Sequence, residues 1–260
     1  MKLDAAIVFL SVMLLLPACR LYAQDKPLSR AEIEQIVREY ILQHPEVLID
    51  SVRAHQERER TAAQQKSREA VIAKRRELFE DDTSPVAGKP GAGVAIVQFF
   101  DYNCGYCRRV APTLTKLLEQ EQEVHLIFKE LPILGPDSHI AAQAALAAGK
   151  QGAYVPFHQA LMGLKSPATM AAIEETGRKL GLDIDRLKAD MNSGEVQAIL
   201  AQNQRLARAI GVESTPSFVI GNEVVPGAMD LAAFQALIAK AAEEKAATPS
   251  APLNPTPANP

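Results

Sequence analysis

The sequence between residues 94 and 107 reads VAIVQFFDYNCGYC, and this stretch decides the fold. Its first seven residues are almost all apolar, which is typical of a central strand that is buried on both faces. Cys104 and Cys107 follow that strand closely, and residues 108–121 have the spacing of a helix. We therefore expect a strand, a turn that carries both thiols, and a helix that begins beside the first thiol.

The rest of the chain supplies the other elements of a mixed sheet. A second strand is predicted at residues 124–129, and residues 138–210 are rich in Ala, Leu and Gln with helical spacing. Two short strands are predicted at residues 217–220 and 223–225, and a closing amphipathic helix follows at residues 231–242. The order βαβ, helical insertion, ββα predicts an α/β fold in which helices cover both faces of the sheet.

Residues 28–80 are predicted to form a helical arm, with a break at Pro45 because proline lacks a backbone N–H. Residues 53–80 hold 13 charged residues among 28, so we expect a solvated arm or connector there. The start of the arm carries an apolar stripe that consists of Ile33, Ile36, Val37, Tyr40 and Ile41. This stripe either folds back on the main domain or binds copies of itself. The polar residues between the stripe and the domain favour a homo-oligomer formed through residues about 28–52.

The two ends of the chain differ from its middle. Residues 1–23 contain a basic residue and then an apolar run, a pattern typical of a secretory signal peptide. A retained N-terminal anchor is one alternative, and lipidation of Cys19, as in bacterial lipoproteins, is another. Residues 246–260 contain five prolines and are predicted to be a disordered tail.

The composition limits the class of protein. The 260 residues are 47% hydrophobic, which is enough for one well-packed domain and an appendage. The formal net charge is −3, with both signs scattered along the chain, so there is no electrostatic footprint for nucleic acid. We therefore exclude nucleic acid as a partner.

Cys104 and Cys107 are the candidate catalytic residues. Thiol–disulfide exchange requires an attacking thiolate and a second thiol that releases the mixed disulfide. A helix N-terminus stabilises a thiolate at Cys104, and Cys107, one turn further on, is predicted to be the more buried, resolving thiol. A structural disulfide would restrain only a tiny loop, and the histidines of the chain do not complete a zinc site with these cysteines. Capture of Cu(I) by the two soft thiolates remains an alternative.

Four segments resemble the family of DsbA-like periplasmic thiol–disulfide oxidoreductases, and together they cover about residues 84–242. They are the active-site stretch at 99–107, FKELPILG at 128–135, GVESTPSF at 211–218 and VPGA at 225–228. The resemblance implies a thioredoxin-like fold. It also implies a catalytic domain at residues 84–245, which includes the helical insertion, and a helical segment with a linker at residues 24–83.

The same resemblance implies roles for individual residues. Thr215 and Pro216 would form a cis-proline loop that binds an incoming substrate chain through β-like backbone hydrogen bonds. Gly105 and Tyr106 match the Gly-Tyr pair of the DsbC isomerase and carry no positive charge. They therefore favour a less oxidising pair that reduces or reshuffles disulfides. A DsbA-like thiol oxidase is the alternative.

Two charged residues at the end of the second strand are further candidates. Glu130, with Lys129 beside it, would lie under the active site and influence its proton transfers. The alternative is an exposed ion pair at the end of a strand. We expect no cofactor besides the redox-active Cys104–Cys107 disulfide, and no metal.

The arm also resembles part of a narrower group. Residues 40–48, YILQHPEVL, are similar to a helical segment of ScsC-type members, several of which oligomerise through it. The expected partners are therefore unfolded or misoxidised exported proteins, a membrane redox partner and further copies of the chain. The expected location is the periplasm.

Overall fold

The computed structural model describes residues 27–89, 91, 93–121 and 123–247, which divide into two compact units between Glu57 and Arg58. The predicted signal peptide, including Cys19, lies outside the described residues. Most of the predicted tail also lies outside them. Residues 246 and 247 belong to the last helix, because the alanine-rich sequence before the prolines favours helix. The proposed domain boundaries stay predictions.

The first unit contains helix α1 (Arg30–Gln43) and the start of helix α2 (Glu46–Ala73), which ends in the second unit. The backbone N–H of Ser29 donates to Oε2 of Glu32 at 2.8 Å, and the N–H of Glu32 donates to Oγ of Ser29 at 3.3 Å. This reciprocal capping satisfies two N–H groups at the start of α1. The predicted break at Pro45 is confirmed, since neither helix includes it. The stripe has one half-buried member, Ile41, and its exposed members are Ile33, Ile36, Val37 and Tyr40.

The second unit contains the end of α2, the short helix α3 (Arg75–Phe79) and a five-stranded sheet with the order β1-β3-β2-β4-β5. The strands are β1 (Val86–Gly88), β2 (Val94–Phe100), β3 (Val124–Glu130), β4 (Ser217–Ile220) and β5 (Glu223–Pro226). Strands β2 and β3 are parallel, and the other three pairs are antiparallel. The predicted strands and the mixed sheet are confirmed. The sequence does not predict β1, because three residues are too few to show a strand pattern.

Helices cover both faces of this sheet. Helix α4 (Gly105–Gln120) connects β2 to β3, as the sequence predicts. The insertion between β3 and β4 contains five helices, and α10 (Leu231–Ala247) closes the fold. The five are α5 (Pro136–Gly149), α6 (Tyr154–Met162), α7 (Met170–Lys179), α8 (Ile184–Met191) and α9 (Gly194–Ala209). None of the helices in the described ranges combines the length and the apolarity that a membrane crossing requires.

The core has two parts, one on each face of the sheet. Alternate residues of β2 face opposite sides, so Ile96 joins the part that contains the cysteines and Val97 joins the other part. The second part also contains Val71 of α2 and Leu78 of α3, both fully buried. The interpretation of residues 53–80 as a solvated arm is therefore wrong for its last turns. Charged residues surround a few apolar side chains there, and those side chains cover one face of the sheet.

Candidate active site

Cys104 lies at the N-terminus of α4, immediately after the turn that follows β2. It is the N-cap residue, and its Sγ accepts a hydrogen bond from the backbone N–H of Cys107 at 3.4 Å. Such an N–H donor and the helix dipole both favour a thiolate at this sulfur. Cys104 is 6% exposed and Cys107 is fully buried, and both are free thiols. Burial raises the pKa of the Cys107 thiol well above its ordinary value.

The loop before β4 lies directly against Cys104. The Thr215–Pro216 peptide bond is cis, as the resemblance implies. The Cys104 thiol donates to the carbonyl oxygen of Thr215 at 3.2 Å, so the structure brings these two predicted residues together. The Pro216 carbonyl accepts from the N–H of Gly227 at 2.8 Å, which links this loop to the end of the β4–β5 hairpin.

The dipeptide between the cysteines faces solvent. Gly105 is exposed and Tyr106 is 59% exposed. The Arg109 guanidinium lies 4.8 Å from the centroid of the Tyr106 ring, in a cation–π contact. No charged side chain lies between the two cysteines, but Arg109 holds a positive charge about one helical turn after Tyr106.

Glu130 and Lys129 are both buried, so the interpretation as an exposed ion pair is wrong. Neighbouring residues of a strand point to opposite faces, and the two side chains therefore have different partners. Glu130 Oε1 accepts from the hydroxyl groups of Tyr102 and Tyr154. Lys129 Nζ donates to Oδ2 of Asp81 at 2.7 Å and to the Glu77 carbonyl. Only Glu130 reaches the active-site turn through these contacts, by way of Tyr102.

Asp101 lies in the turn before Cys104 and is not among the predicted site residues. Its buried carboxylate accepts from the backbone N–H groups of Asn103 at 2.7 Å, Ile133 at 2.9 Å and Leu134 at 3.0 Å. These bonds fix both the turn before Cys104 and the loop after β3. An Asp in a turn that bonds its own backbone two residues on is a recognisable local pattern.

Asn103 and Arg108 connect the same turn to the helical insertion. Oδ1 of Asn103 accepts from the N–H of Ala168 at 3.1 Å, and its Nδ2 donates to Oγ of Ser138 at 3.1 Å. Arg108 donates through Nε to the Tyr102 carbonyl at 2.6 Å and through Nη1 to the Leu164 carbonyl at 3.1 Å. No sequence pattern identifies these contacts, because the partners come from distant parts of the chain. Within the described ranges, no cluster of three or more His, Cys, Asp or Glu side chains could hold a metal ion.

Comparisons with known proteins identify the family. The model of the DSBA-like thioredoxin domain matches residues 95–239, which is more than half of the chain. The chain belongs to the DsbA-like family of thiol–disulfide oxidoreductases. This confirms the resemblance and the thioredoxin-like fold. The model of the copper resistance protein ScsC N-terminal domain matches residues 30–62, where the sequence resembles the arm of ScsC-type members.

Solved structures support this membership of the DsbA-like family. A thioredoxin-like oxidoreductase from Silicibacter pomeroyi DSS-3 is 42% identical with a TM-score of 0.64, over 65% of this chain and 98% of that one. ScsC of Proteus mirabilis in a transitional conformation is 32% identical with a TM-score of 0.64, over 84% of this chain and 100% of that one.

Curated relatives extend the match to a longer kind of protein. A probable disulfide bond formation protein D from Bacillus anthracis is 29% identical over 58% of this chain and 76% of its own length. The Na(+)/H(+) antiporter NhaA 3 from Salinispora tropica is 27% identical over 164 residues, and the chain spans only 25% of its length. The similarity to the antiporter thus concerns one segment of that protein.

Proposed function

We propose that this chain is an exported thiol–disulfide oxidoreductase that reduces or isomerises disulfides in secreted proteins. The observation that carries the proposal is the pair of hydrogen bonds at Cys104. Its thiol donates to the Thr215 carbonyl, and its sulfur accepts from the Cys107 N–H. It gives the attacking sulfur an N–H donor on one side and a backbone carbonyl on the other. A substrate cysteine that pairs with the Thr215 backbone would lie against the Cys104 sulfur.

The chemistry proceeds by two exchanges of S–S bonds. The Cys104 thiolate attacks one sulfur of a substrate disulfide, the Cys104–substrate bond forms, and the other substrate sulfur leaves as a thiolate. Cys107 then loses its proton and attacks Cys104 Sγ, which releases the second substrate sulfur as a thiolate. Two electrons pass to the substrate, and the Cys104–Cys107 disulfide remains. The raised pKa of Cys107 keeps it protonated during the first step.

In isomerisation, a substrate thiolate attacks the mixed disulfide instead of Cys107. A new substrate disulfide forms, the Cys104 thiolate returns, and no electrons are transferred overall. Two features support this direction over simple oxidation. Gly105 and Tyr106 add no positive charge between the cysteines, and the stripe on α1 supports an oligomer that presents several active sites to one substrate.

The same proposal covers location and partners. The pattern at residues 1–23 supports export to the periplasm, and lipidation at Cys19 is the alternative for this N-terminal segment. A reductase or isomerase needs its thiols restored after each oxidation, so a membrane redox partner would supply two electrons to the Cys104–Cys107 disulfide. The substrates would be unfolded or misoxidised exported proteins.

Reactivation of scrambled ribonuclease tests this function. The full chain would be expressed with residues 1–23 in place and purified from the periplasmic fraction, so that the preparation also reports export. We expect ribonuclease activity to return, and the Cys104→Ala variant to be inactive in this assay. Rapid oxidation of reduced ribonuclease without any reactivation of the scrambled form would instead make the chain a thiol oxidase.

Cu(I) handling is a second candidate function. The match of residues 30–62 to the N-terminal domain of a copper resistance protein supports it, and two free thiols that would lose their protons on binding suit the soft Cu(I) ion. Competition with a chromophoric Cu(I) chelator measures the affinity. One equivalent of tightly held Cu(I), lost in Cys104→Ser, would support this function, and no competition with the chelator would exclude it.

A further inference from the structure

Four buried polar side chains form one hydrogen-bonded group beside the active-site turn. This group, the Glu130 cluster, consists of Tyr102, Glu130, Tyr154 and His158, each at most 6% exposed. The hydroxyl groups of Tyr102 and Tyr154 donate to Glu130 Oε1 at 3.0 and 2.7 Å. Nδ1 of His158 lies 3.0 Å from the Tyr102 oxygen. The rings of Phe100 and Phe128 pack against His158 with centroids 4.8 and 4.5 Å away, so apolar rings cover part of this imidazole.

The contacts connect the four side chains through shared protons. When the Tyr102 hydroxyl donates to Glu130, the His158 tautomer that carries its proton on Nδ1 completes the group by donating to the Tyr102 oxygen. Burial lowers the pKa of His158 to about 3, which keeps the imidazole neutral. Among the described residues, Glu130 Oε2 has no hydrogen-bond partner. Burial also raises the pKa of Glu130 well above its ordinary value, and Oε1 is the oxygen that accepts from both tyrosines.

Tyr102 joins this cluster to the thiols. Its side chain is fixed by Glu130 and His158, and its carbonyl oxygen accepts from Nε of Arg108 at 2.6 Å. Cys104 follows two residues later, and its N–H donates to the Asp101 carbonyl at 3.1 Å. The sulfur of Cys104 can accept a hydrogen bond from the Cys107 N–H only while this turn keeps its conformation.

We propose that Glu130 is a positioning residue for the thiol chemistry, acting through the Tyr102 hydroxyl to hold Cys104 at the N-terminus of α4. This role needs an acceptor oxygen at Glu130 and no negative charge. The proposal rests on the proposed function in one respect, namely that Cys104 is the attacking thiol. Loss of the Tyr102–Glu130 bond would loosen the turn and weaken the stabilisation of the thiolate.

Two matched variants of the full-length protein test the proposal. Tyr102→Phe and Tyr154→Phe each remove one buried hydroxyl from the same Glu130 oxygen, but only Tyr102 lies on the turn. We expect Tyr102→Phe to slow alkylation by iodoacetamide at pH 6 by about threefold and to shift the equilibrium with glutathione toward the Cys104–Cys107 disulfide by a similar factor. Tyr154→Phe should lower stability to urea and leave both thiol measurements unchanged.

Variants of Glu130 test whether the role depends on an acceptor oxygen for the two tyrosines or on a negative charge. Glu130→Gln retains a carbonyl oxygen for both tyrosines and should behave like the wild type in both thiol measurements. Glu130→Leu removes the acceptor and should match Tyr102→Phe. Equal effects of Tyr102→Phe and Tyr154→Phe, or none from either, would overturn the positioning role. If wild-type Cys104 itself were not alkylated faster than Cys107, the proposed function would fail instead.

Discussion

At Cys104, one sulfur both donates to the Thr215 carbonyl and accepts from the Cys107 N–H, while the Cys107 thiol is fully buried. This difference predicts a division of roles between the two thiols. A Cys107→Ser variant should accumulate more of the mixed disulfide between Cys104 and substrate, because the chain has lost its resolving thiol and only substrate thiolates can release the adduct. Non-reducing electrophoresis after incubation with scrambled ribonuclease measures this adduct. Cys104→Ser is the control, and an adduct of equal yield there would contradict the division of roles.

The buried ion pair between Asp81 and Lys129 predicts an acid-sensitive contribution to stability. Lys129 is fully buried, the Asp81 side chain is 9% exposed, and the pair is 2.7 Å apart. Burial opposes ionisation of Asp81, but hydrogen bonds from Lys129, Thr83 and Ser84 outweigh it and lower its pKa to about 2. Because the folded pKa lies below the unfolded one, the stabilisation is present above about pH 4 and is lost as the pH falls through about 2.

Asp81→Asn should therefore lower the free energy of unfolding by about 2 kcal/mol at pH 7 and by little at pH 2. Urea unfolding at the two pH values measures the difference. Asp82→Asn changes an exposed neighbour and should have no effect at either pH. A deficit in Asp81→Asn that is equally large at pH 2 would show that the hydrogen bonds matter and the charge does not.

At the scale of elements, the end of the arm should be necessary for the stability of the catalytic unit. Leu78 of α3 is fully buried in the second part of the core. Leu78→Ala should destabilise the protein by about 3 kcal/mol, the usual cost of such a truncation in a packed core. Ile72→Ala truncates a side chain that is 53% exposed, and it should change stability by less than about 0.5 kcal/mol. Equal losses in thermal unfolding would contradict the packing described here.

The strands show what a sequence can predict at this scale. The apolar runs of β2 and β3 and the short hairpin β4–β5 have patterns that local sequence makes visible. The burial of Val71 and Leu78 could not be predicted, because charged neighbours give their segment the composition of a solvated helix. The contacts of Asn103 and Arg108 could not be predicted from the sequence for another reason. They join positions as far apart as 103 and 168, and a single sequence contains no signal that pairs them.

At the scale of the whole molecule, the stripe on α1 should decide whether several active sites act together. Ile36→Glu places a charge at a side chain that is 53% exposed in the chain and is proposed to be buried between copies. We expect this variant to sediment as a monomer and to lose the reactivation of scrambled ribonuclease. It should still reduce a small soluble disulfide at the wild-type rate, since the cysteines lie in the other unit.

Gln35→Glu adds the same charge beside the stripe and should stay oligomeric and active. Sedimentation velocity and the two activity assays compare the variants. If the wild type itself sediments as a monomer, the proposed oligomer is wrong, and the stripe then has another partner.

The two edges of the sheet have one more consequence. Strand β1 has only three residues and ends at Gly88, whose φ of +89° turns the backbone out of the strand direction. Strand β5 has four residues and ends at Pro226, which has no N–H to offer a further strand. A protein that acts on unfolded chains, as proposed for this one, risks templating their aggregation along its own sheet. Edges this short offer such chains few unpaired backbone groups to extend, which favours contact at the proposed substrate loop beside Cys104.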